Sequence, residues 1–289
     1  MREIKRREFL KYSFGLLGLA LAGTYTRWQF SPGTVKAEAA EESGDTAPSH
    51  KVDGFGTEAD KANKFGMVID VGACIGCRTC LWACKEENNT PDAISPPWIE
   101  VFELKSDVSV TGHPSPTDLK EGATTAYTEA PKEGRWYMPV QCYHCSNAPC
   151  VKVCPTGATY KSEDGLTLMD YERCIGCRLC VVACPSSARR FNWWKPDILA
   201  ADANPLVPIR PIGVVEKCTF CVHRTRRGSL PRCVEVCPVR ARHFGNMNDP
   251  ASEVAKLLFS NQSFQLLGEL GTEPNIWYIT RGKKWYKEK

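Results

Sequence analysis

Apolar residues occur in short runs along this chain, and polar, glycine- or proline-containing segments separate the runs. The alternating and β-branched runs predict strands over 65–70, 158–160, 166–170, 242–245 and 276–280. Gly165 follows Glu163 and Asp164 between the second and third of these runs, where a hairpin turn needs a positive φ. Asp249 and Pro250 predict the N-cap and first position of a helix over 251–259. All of these elements are short.

The first forty residues are of a different kind. Arg6 and Arg7 precede an apolar run over 14–22 and a small-residue stretch over 35–40, which is the order of an export signal of the twin-arginine type. The apolar run is about half of the ~20 residues that a spanning helix needs, although an uncleaved N-terminal anchor stays open. Residues 1–40 hold seven Lys or Arg and three Glu, so the net charge of +4 belongs to this segment. It therefore does not indicate a nucleic-acid partner.

Sixteen cysteines dominate the rest of the chain, and they form four motifs of four. Motif one is Cys74, Cys77, Cys80 and Cys84; motif two is Cys142, Cys145, Cys150 and Cys154; motif three is Cys174, Cys177, Cys180 and Cys184; motif four is Cys218, Cys221, Cys233 and Cys237. Three thiolates within seven residues and a fourth three residues later is the spacing that holds [4Fe–4S] clusters, and the fourth cysteine ligates a neighbouring cluster. Sixteen ligands predict four such clusters.

Two other uses of paired cysteines compete with this prediction. An exported protein can form disulfides from an even number of cysteines, but such frameworks do not usually repeat three-cysteine heptads. Four tetrahedral zinc sites would also use sixteen thiolates, but zinc usually takes separated C-x2-C pairs. The sequence contains no C-x-x-C-H haem motif, no phosphate loop in the mature region and no nucleophile–base constellation. This composition favours electron transfer without bond chemistry.

The motifs repeat internally. Residues 174–184 match residues 74–84 at eight of eleven positions, and 233–238 resembles 150–155. Motifs two and three are separated by 19 residues, whereas 57 separate one from two and 33 separate three from four. The short link favours a compact module of motifs two and three, around which motifs one and four pair. Thr90 to Arg135 looks like a long insertion, which is usually functional or disordered.

Several residues near the motifs suit cluster chemistry. Gly76 and Gly176, inside the C-x2-C spacers, allow the backbone to approach a cluster closely. His144 and His223 are expected to point outward. Trp193 and Trp194 are either partner anchors or core residues. Seven basic residues surround motif four. They either offset the negative charge of a cluster, form a docking patch for a redox partner or form a solvated surface. They are Lys217, Arg224, Arg226, Arg227, Arg232, Arg240 and Arg242.

Residues 65–280 resemble the four-cluster ferredoxin-like subunits of respiratory complexes, the family of dimethyl-sulfoxide-reductase and polysulfide-reductase iron–sulfur subunits, in motif order and spacing and in the proline after motifs two to four. Motif one departs from this pattern, because Lys85 and not a proline follows Cys84. The resemblance implies an α+β fold of two interleaved two-cluster ferredoxin-like modules with short helices, hairpins and long loops, and four [4Fe–4S] clusters. It implies these ligand sets: site 1, Cys74, Cys77, Cys80 and Cys237; site 2, Cys84, Cys218, Cys221 and Cys233; site 3, Cys142, Cys145, Cys150 and Cys184; site 4, Cys154, Cys174, Cys177 and Cys180.

The resemblance also implies a division of the chain and a set of partners. The division is an export signal (1–40), a flexible leader (41–64), a motif-one segment with a partner-facing insertion (65–141), a central two-cluster module (142–191) and a motif-four segment with a C-terminal helix, strand and basic tail (192–289). The expected partners are a quinone-reactive multi-helix membrane subunit and a further redox subunit, outside the cytoplasm. Residues 245–254 and 270–274 are similar both to the DsrO-type subunit of the complex linked to sulfite reduction and to tetrathionate-type molybdenum reductase subunits. We expect the first.

Overall fold

The computed structural model describes residues 59–92, 94, 96–105, 131–199 and 201–281. The expected export signal, the leader up to residue 58, most of the insertion and the basic tail lie outside the described residues. The fold is α+β, as expected, and is built from small sheets and short helices. No described helix has the length and apolar character needed to span a bilayer.

One four-stranded sheet joins the two ends of the described chain. Its strands are β1 (Phe65–Asp70), β8 (Arg242–Asn246), β9 (Ser263–Phe264) and β10 (Ile276–Ile279), in the order β8-β1-β10-β9. β1 is antiparallel to β8 and parallel to β10, with Met67 opposite Phe244 and Ile276. Because β1 precedes motif one and β8 follows motif four, this sheet brings the two motifs side by side.

Three two-stranded sheets complete the strand inventory of the described residues. β2 (Glu100–Lys105) pairs with β3 (Arg135–Val140), β4 (Thr159–Lys161) with β5 (Thr167–Met169), and β6 (Arg190–Phe191) with β7 (Val215–Glu216). The β4–β5 hairpin is the one expected between motifs two and three, and Gly165 in its turn has φ +80°. β2 lies in the segment interpreted as an insertion and β3 begins at the last residue of that segment, and the sequence predicted neither strand.

The part of the chain that the structure describes has six short α-helices, five of which lie at the cysteine motifs. They are α1 (Thr79–Glu87), α2 (Pro149–Lys152), α3 (Leu179–Ala183), α4 (Val222–Thr225), α5 (Arg232–Glu235) and α6 (Glu253–Ser260). α1 and α3 begin after Arg78 and Arg178, whose φ values of 60° and 61° are left-handed, and each follows a positive-φ glycine. The internal repeat in sequence is therefore a repeat of one backbone turn.

The C-terminal helix begins later than its sequence signal indicated. Ser252, not Asp249, is the N-cap of α6, and its hydroxyl accepts a hydrogen bond from the Ala255 N–H at 3.2 Å. The Asp249 carboxylate instead accepts from the Ala251 N–H at 2.8 Å, within a turn before the helix. The expectation for Asp249 and Pro250 was wrong because Asp249 and Ser252 can both accept a capping hydrogen bond. The helical backbone begins only after Ser252.

Cysteines form part of the core. The largest buried cluster contains Met67 and Ile69 of β1, Ile276 and Tyr278 of β10, and cysteines of motifs one, two and four. A second cluster contains Cys150 and Cys180 with Met169. Apolar side chains thus shield thiols and do not form one continuous hydrophobic interior.

Candidate metal centres

The structure places the cysteines near one another in four groups, and the ligand sets implied by the resemblance stay a prediction. The thiols of site 1 line one hollow, together with Gly76 and Arg242. Those of site 4 line a second hollow, together with Gly176 and Met169. The thiols of Cys218, Cys221 and Cys233 lie near that of Cys84, which is site 2. The thiols of Cys142, Cys150 and Cys184 lie near that of Cys145, which is site 3. All sixteen are free thiols.

Burial determines the chemistry of these thiols. Burial is the main cause that raises the pKa of Cys74 to about 12 and that of Cys80 to about 11, with neighbouring thiols acting in the same direction and Arg242 opposing them. Burial also raises the pKa of Cys84 well above its ordinary value. Such thiols stay protonated at neutral pH unless a metal displaces the proton, because a coordinating thiol is deprotonated by the metal's charge. The sites therefore fit groups that supply positive charge.

The cysteines of sites 1 and 4 each line a hollow. Within the described residues, no three His, Cys, Asp or Glu side chains are placed to hold a single metal ion. Ligands on the corners of a cubane lie further apart than four ligands on one ion, so a space lined by cysteines suits a cluster. Backbone amides also face three of the sulfurs: the N–H of Thr159, Phe220 and Ala241 donates to Sγ of Cys154, Cys218 and Cys237 at 3.4, 3.4 and 3.2 Å.

The four sites follow one another in a row. The Cys233 thiol of site 2 lies near the Cys80 thiol of site 1. The Cys142 thiol of site 3 lies near the Cys218 thiol of site 2. The Cys150 thiol of site 3 lies near the Cys180 thiol of site 4. Each site is thus next to the following one, from site 1 through sites 2 and 3 to site 4.

The two histidines near the motifs are buried, so the expectation that they point outward was wrong. His144 is fully buried, its Nδ1 accepts from the Thr167 N–H at 3.2 Å, and its ring stacks on Phe220 with centroids 3.9 Å apart. Its backbone has φ 48°, a conformation that turns the chain inward between Cys142 and Cys145. His223 is also buried, with Nε2 2.7 Å from a Glu87 carboxylate oxygen.

The basic residues around motif four have different roles. Lys217 and Arg242 are buried, and Lys217 donates to the Cys218 carbonyl at 2.7 Å. Arg226 donates to the buried Asp164 carboxylate at 2.7 Å. Arg224 and Arg232 bind Glu87 and Glu235 nearer the surface, and Arg227 and Arg240 are exposed. The buried members fit the electrostatic interpretation, whereas the exposed ones fit a solvated surface or a docking patch.

Trp193 and Trp194 are 56% and 68% exposed, so they are not core residues. The Arg178 guanidinium, next to Cys177 of site 4, lies 4.8 Å from the Trp193 ring. Cys177 is the exposed thiol among the sixteen. A role as partner anchors beside site 4 stays a prediction.

Sequence reasoning missed two polar residues at the sites. The Asn88 amide donates to Sγ of Cys84 and Cys221 at 3.6 and 3.5 Å. Arg189 is buried between thiols of sites 3 and 4. A signal for the second was present, since Arg189 and Arg242 each stand five residues after the last cysteine of a motif, in Cys-Pro-x-x-Ala-Arg.

Comparisons with known proteins identify the chemistry of the sites. Residues 73–158 match one 4Fe-4S dicluster domain, and residues 135–201 with 210–247 match another. The chain is 43% identical over 229 residues to a putative dimethyl sulfoxide reductase iron-sulfur subunit of Halobacterium salinarum, covering 78% of this chain and 84% of the relative. It is 36% identical over 219 residues to a polysulfide reductase polypeptide of Wolinella succinogenes, covering 75% and 95%.

A third relative extends over almost the whole chain. The Hdr-like menaquinol oxidoreductase iron-sulfur subunit 1 of Archaeoglobus fulgidus is 35% identical over 306 aligned positions, covering 96% of this chain and 99% of the relative. Two dicluster domains and sixteen cysteines correspond to four [4Fe–4S] clusters. This finding supports iron–sulfur clusters over the zinc and disulfide alternatives.

Proposed function

Because this protein belongs to the ferredoxin-like iron–sulfur subunits of the dimethyl sulfoxide and polysulfide reductase family, we propose that it relays single electrons between a quinone-reactive membrane subunit and a further redox subunit of a respiratory complex. The chain is an electron-transfer subunit and is not itself catalytic. In this proposal the sixteen cysteines hold the iron in the four sites defined above. [4Fe–4S] clusters supply one-electron redox chemistry, and the protein sets their potentials.

The serial order of the sites supports this proposal most directly. Adjacent sites are linked by neighbouring thiols, and site 4 includes the exposed Cys177. A linear series with an accessible end suits the entry of an electron from one partner and its exit to another. A storage protein or a zinc-stapled interaction protein has no need of such an order.

The test uses the native complex, purified anaerobically through a tag on this chain. Rapid mixing with a menaquinol analogue should bleach the visible absorbance of the clusters, and a preparation stripped of membrane subunits should bleach only with dithionite. A native mass equal to one chain, with no bleaching by quinol in the intact membrane fraction, would instead indicate a free ferredoxin outside the cytoplasm.

Two complexes are candidates for the further redox subunit. The names of two relatives favour a molybdopterin reductase of the dimethyl sulfoxide or polysulfide type, to which the tetrathionate type also belongs. The alignment over 96% of the chain favours a quinol-oxidising complex, and the DsrO-type link to sulfite or sulfur metabolism belongs to this second candidate. Metal analysis separates them. About one Mo or W per chain supports the first, whereas haem and additional iron without Mo or W support the second.

We also propose that the chain is exported by the twin-arginine route and works at the outer face of the cytoplasmic membrane. The support is the sequence over residues 1–40, in which Arg6 and Arg7 precede the apolar run. Replacing both by lysine should leave the protein in the cytoplasmic fraction, whereas Arg2→Lys should not. Normal export of the double variant would contradict the proposal.

A further inference from the structure

Two buried arginines lack the partner that buried arginines usually have. Arg242 and Arg189 are each 3% exposed, and neither forms an ion pair with a carboxylate in the part of the chain that the structure describes. By contrast, Arg210 and Arg226 each bind a buried carboxylate, at 2.6 and 2.7 Å. A buried charge without a counter-charge is strongly unfavourable. Something else must therefore balance the two guanidinium groups.

Arg242 lies on the hollow of site 1 and has hydrogen-bond donors to spare. Its Nη2 donates to the Gln141 side-chain oxygen at 2.7 Å and lies 3.4 Å from the Met67 sulfur. Its Nε and Nη1 are buried and have no partner among the described protein atoms. These two groups are free to donate to an acceptor in the hollow.

Arg189 repeats this arrangement at the other module. Its Nη1 donates to the Thr159 hydroxyl at 3.1 Å and lies 2.9 Å from the Met169 sulfur, and both of these residues line the hollow of site 4. Its Nε and Nη2 are buried and donate to no nitrogen or oxygen atom of the described residues, and the Cys150 and Cys180 thiols lie beside the guanidinium. Each arginine is thus fixed by one nitrogen to a neutral oxygen and a methionine, and its other two nitrogens donate to no described nitrogen or oxygen atom.

Each guanidinium also faces thiols of two sites. Burial opposes the charge of Arg242, but Cys233 of site 2 and Cys80 and Cys237 of site 1 raise its pKa. For Arg189, Cys150 and Cys142 of site 3 and Cys180 of site 4 have the same effect. The cation is therefore placed between sites 1 and 2 in one case and between sites 3 and 4 in the other.

We propose that Arg242 and Arg189 are potential-setting residues, each serving both clusters of one pair through its charge and its other N–H groups. The inference rests on the proposed cysteine assignment. An oxidised [4Fe–4S] core with four thiolates has a net charge near −2, and a one-electron reduction makes it more negative by one. A fixed cation beside it stabilises the reduced form more than the oxidised form. Arg242 thus raises the potentials of sites 1 and 2, and Arg189 those of sites 3 and 4.

The test is a pair of reciprocal variants, Arg242→Met and Arg189→Met, in the intact complex. Cluster potentials are measured by EPR during anaerobic redox titration, with iron counted for each preparation. At the original midpoint potential, the ratio of reduced to oxidised cluster should fall at least tenfold for two of the four clusters, which is a shift of about 59 mV for one electron. Arg189→Met should lower the midpoint potentials of the two clusters that Arg242→Met leaves unchanged. Each variant's unmoved pair is the internal control, so the signals need no prior assignment.

The outcomes separate the possible failures. Full iron with four unmoved potentials, or both variants moving the same pair, overturns the role of the arginines. Iron well below sixteen in the unmodified complex overturns the cysteine assignment instead. Where a methionine variant loses iron, the lysine variant, which keeps the charge but not the planar donors, should restore the iron and lower the same two potentials by less. A lysine variant that also loses iron, with the remaining potentials unchanged, shows an assembly role and overturns the proposal.

Discussion

Gly176 offers a sharp test of how the backbone approaches site 4. It lies between Cys174 and Cys177, has φ +68° and is followed by the left-handed Arg178. A Cβ added to Gly176 would be 2.1 Å from the Gly213 carbonyl oxygen, where real Cβ atoms essentially never come closer than 3.0 Å. Because that neighbour is backbone, it cannot rotate away. Gly176→Ala must therefore displace the loop that carries two ligands.

The magnitude has two parts. An L-residue in the left-handed region costs about 1–2 kcal/mol. Overpacking against an immobile neighbour adds about 1–3 kcal/mol, which gives a total of about 2–5 kcal/mol. Gly228 is the matched control, since its φ is +77° but a Cβ there would meet nothing within 4 Å. Gly228→Ala should therefore lose only the about 1–2 kcal/mol that an L-residue costs in the left-handed region.

The assay is anaerobic thermal denaturation of both variants, followed by loss of visible absorbance, with iron counted beforehand. For a domain of this size each kcal/mol corresponds to about 2–4 °C, so the Gly176 variant should melt several degrees below the Gly228 variant. It should also lose about four of the sixteen irons, those of site 4. Equal melting temperatures with sixteen irons in both variants would refute the claim that close backbone approach at Gly176 shapes the site.

Three further outcomes are expected. Glu216→Gln should destabilise the protein by about 3–5 kcal/mol, because it leaves the buried Arg210 charge, now 2.6 Å from the carboxylate, without its counter-charge; an unchanged denaturation midpoint would contradict this. Ser252→Ala should cost about 0.5–2 kcal/mol by removing the acceptor for the Ala255 N–H, whereas Ser252→Asp should retain most of the stability in the same unfolding assay. Removal of iron by a chelator under anaerobic conditions should abolish cooperative unfolding followed by circular dichroism, because cluster binding and folding are coupled; a cooperative apo-protein transition would count against that coupling.

Local patterns predicted much of the fold. β1 was predicted over its full length, and β10 to within one residue, because both are apolar runs next to clear turn signals. The hairpin around Gly165 followed from equally local signals, whereas the α+β class was implied by the resemblance. The grouping of cysteines came from the resemblance, which carries information on long-range pairing that spacing alone leaves open.

The sequence did not reveal features that depend on distant partners. The β2–β3 pair contains Pro139 and follows a proline-rich stretch, so its segment looked irregular until Val101 was found opposite that proline. His144 looked like a surface residue in a polar spacer, but Phe220, far along the chain, covers its ring. Arg189 became notable only when the thiols on its two sides were identified.

The most direct test of the central claim is a count of iron, acid-labile sulfide and zinc per copy of this chain in the anaerobically purified complex, combined with EPR of the dithionite-reduced protein after subtraction of centres in other subunits. Four [4Fe–4S] clusters predict sixteen iron atoms, sixteen sulfide atoms and four reduced-cluster signals. A Cys233→Ser, Cys237→Ser double variant removes one ligand from site 2 and one from site 1, so two of the four signals should disappear together. Abundant zinc with little iron, or sixteen irons retained in the double variant, would contradict a four-cluster relay held by these cysteines.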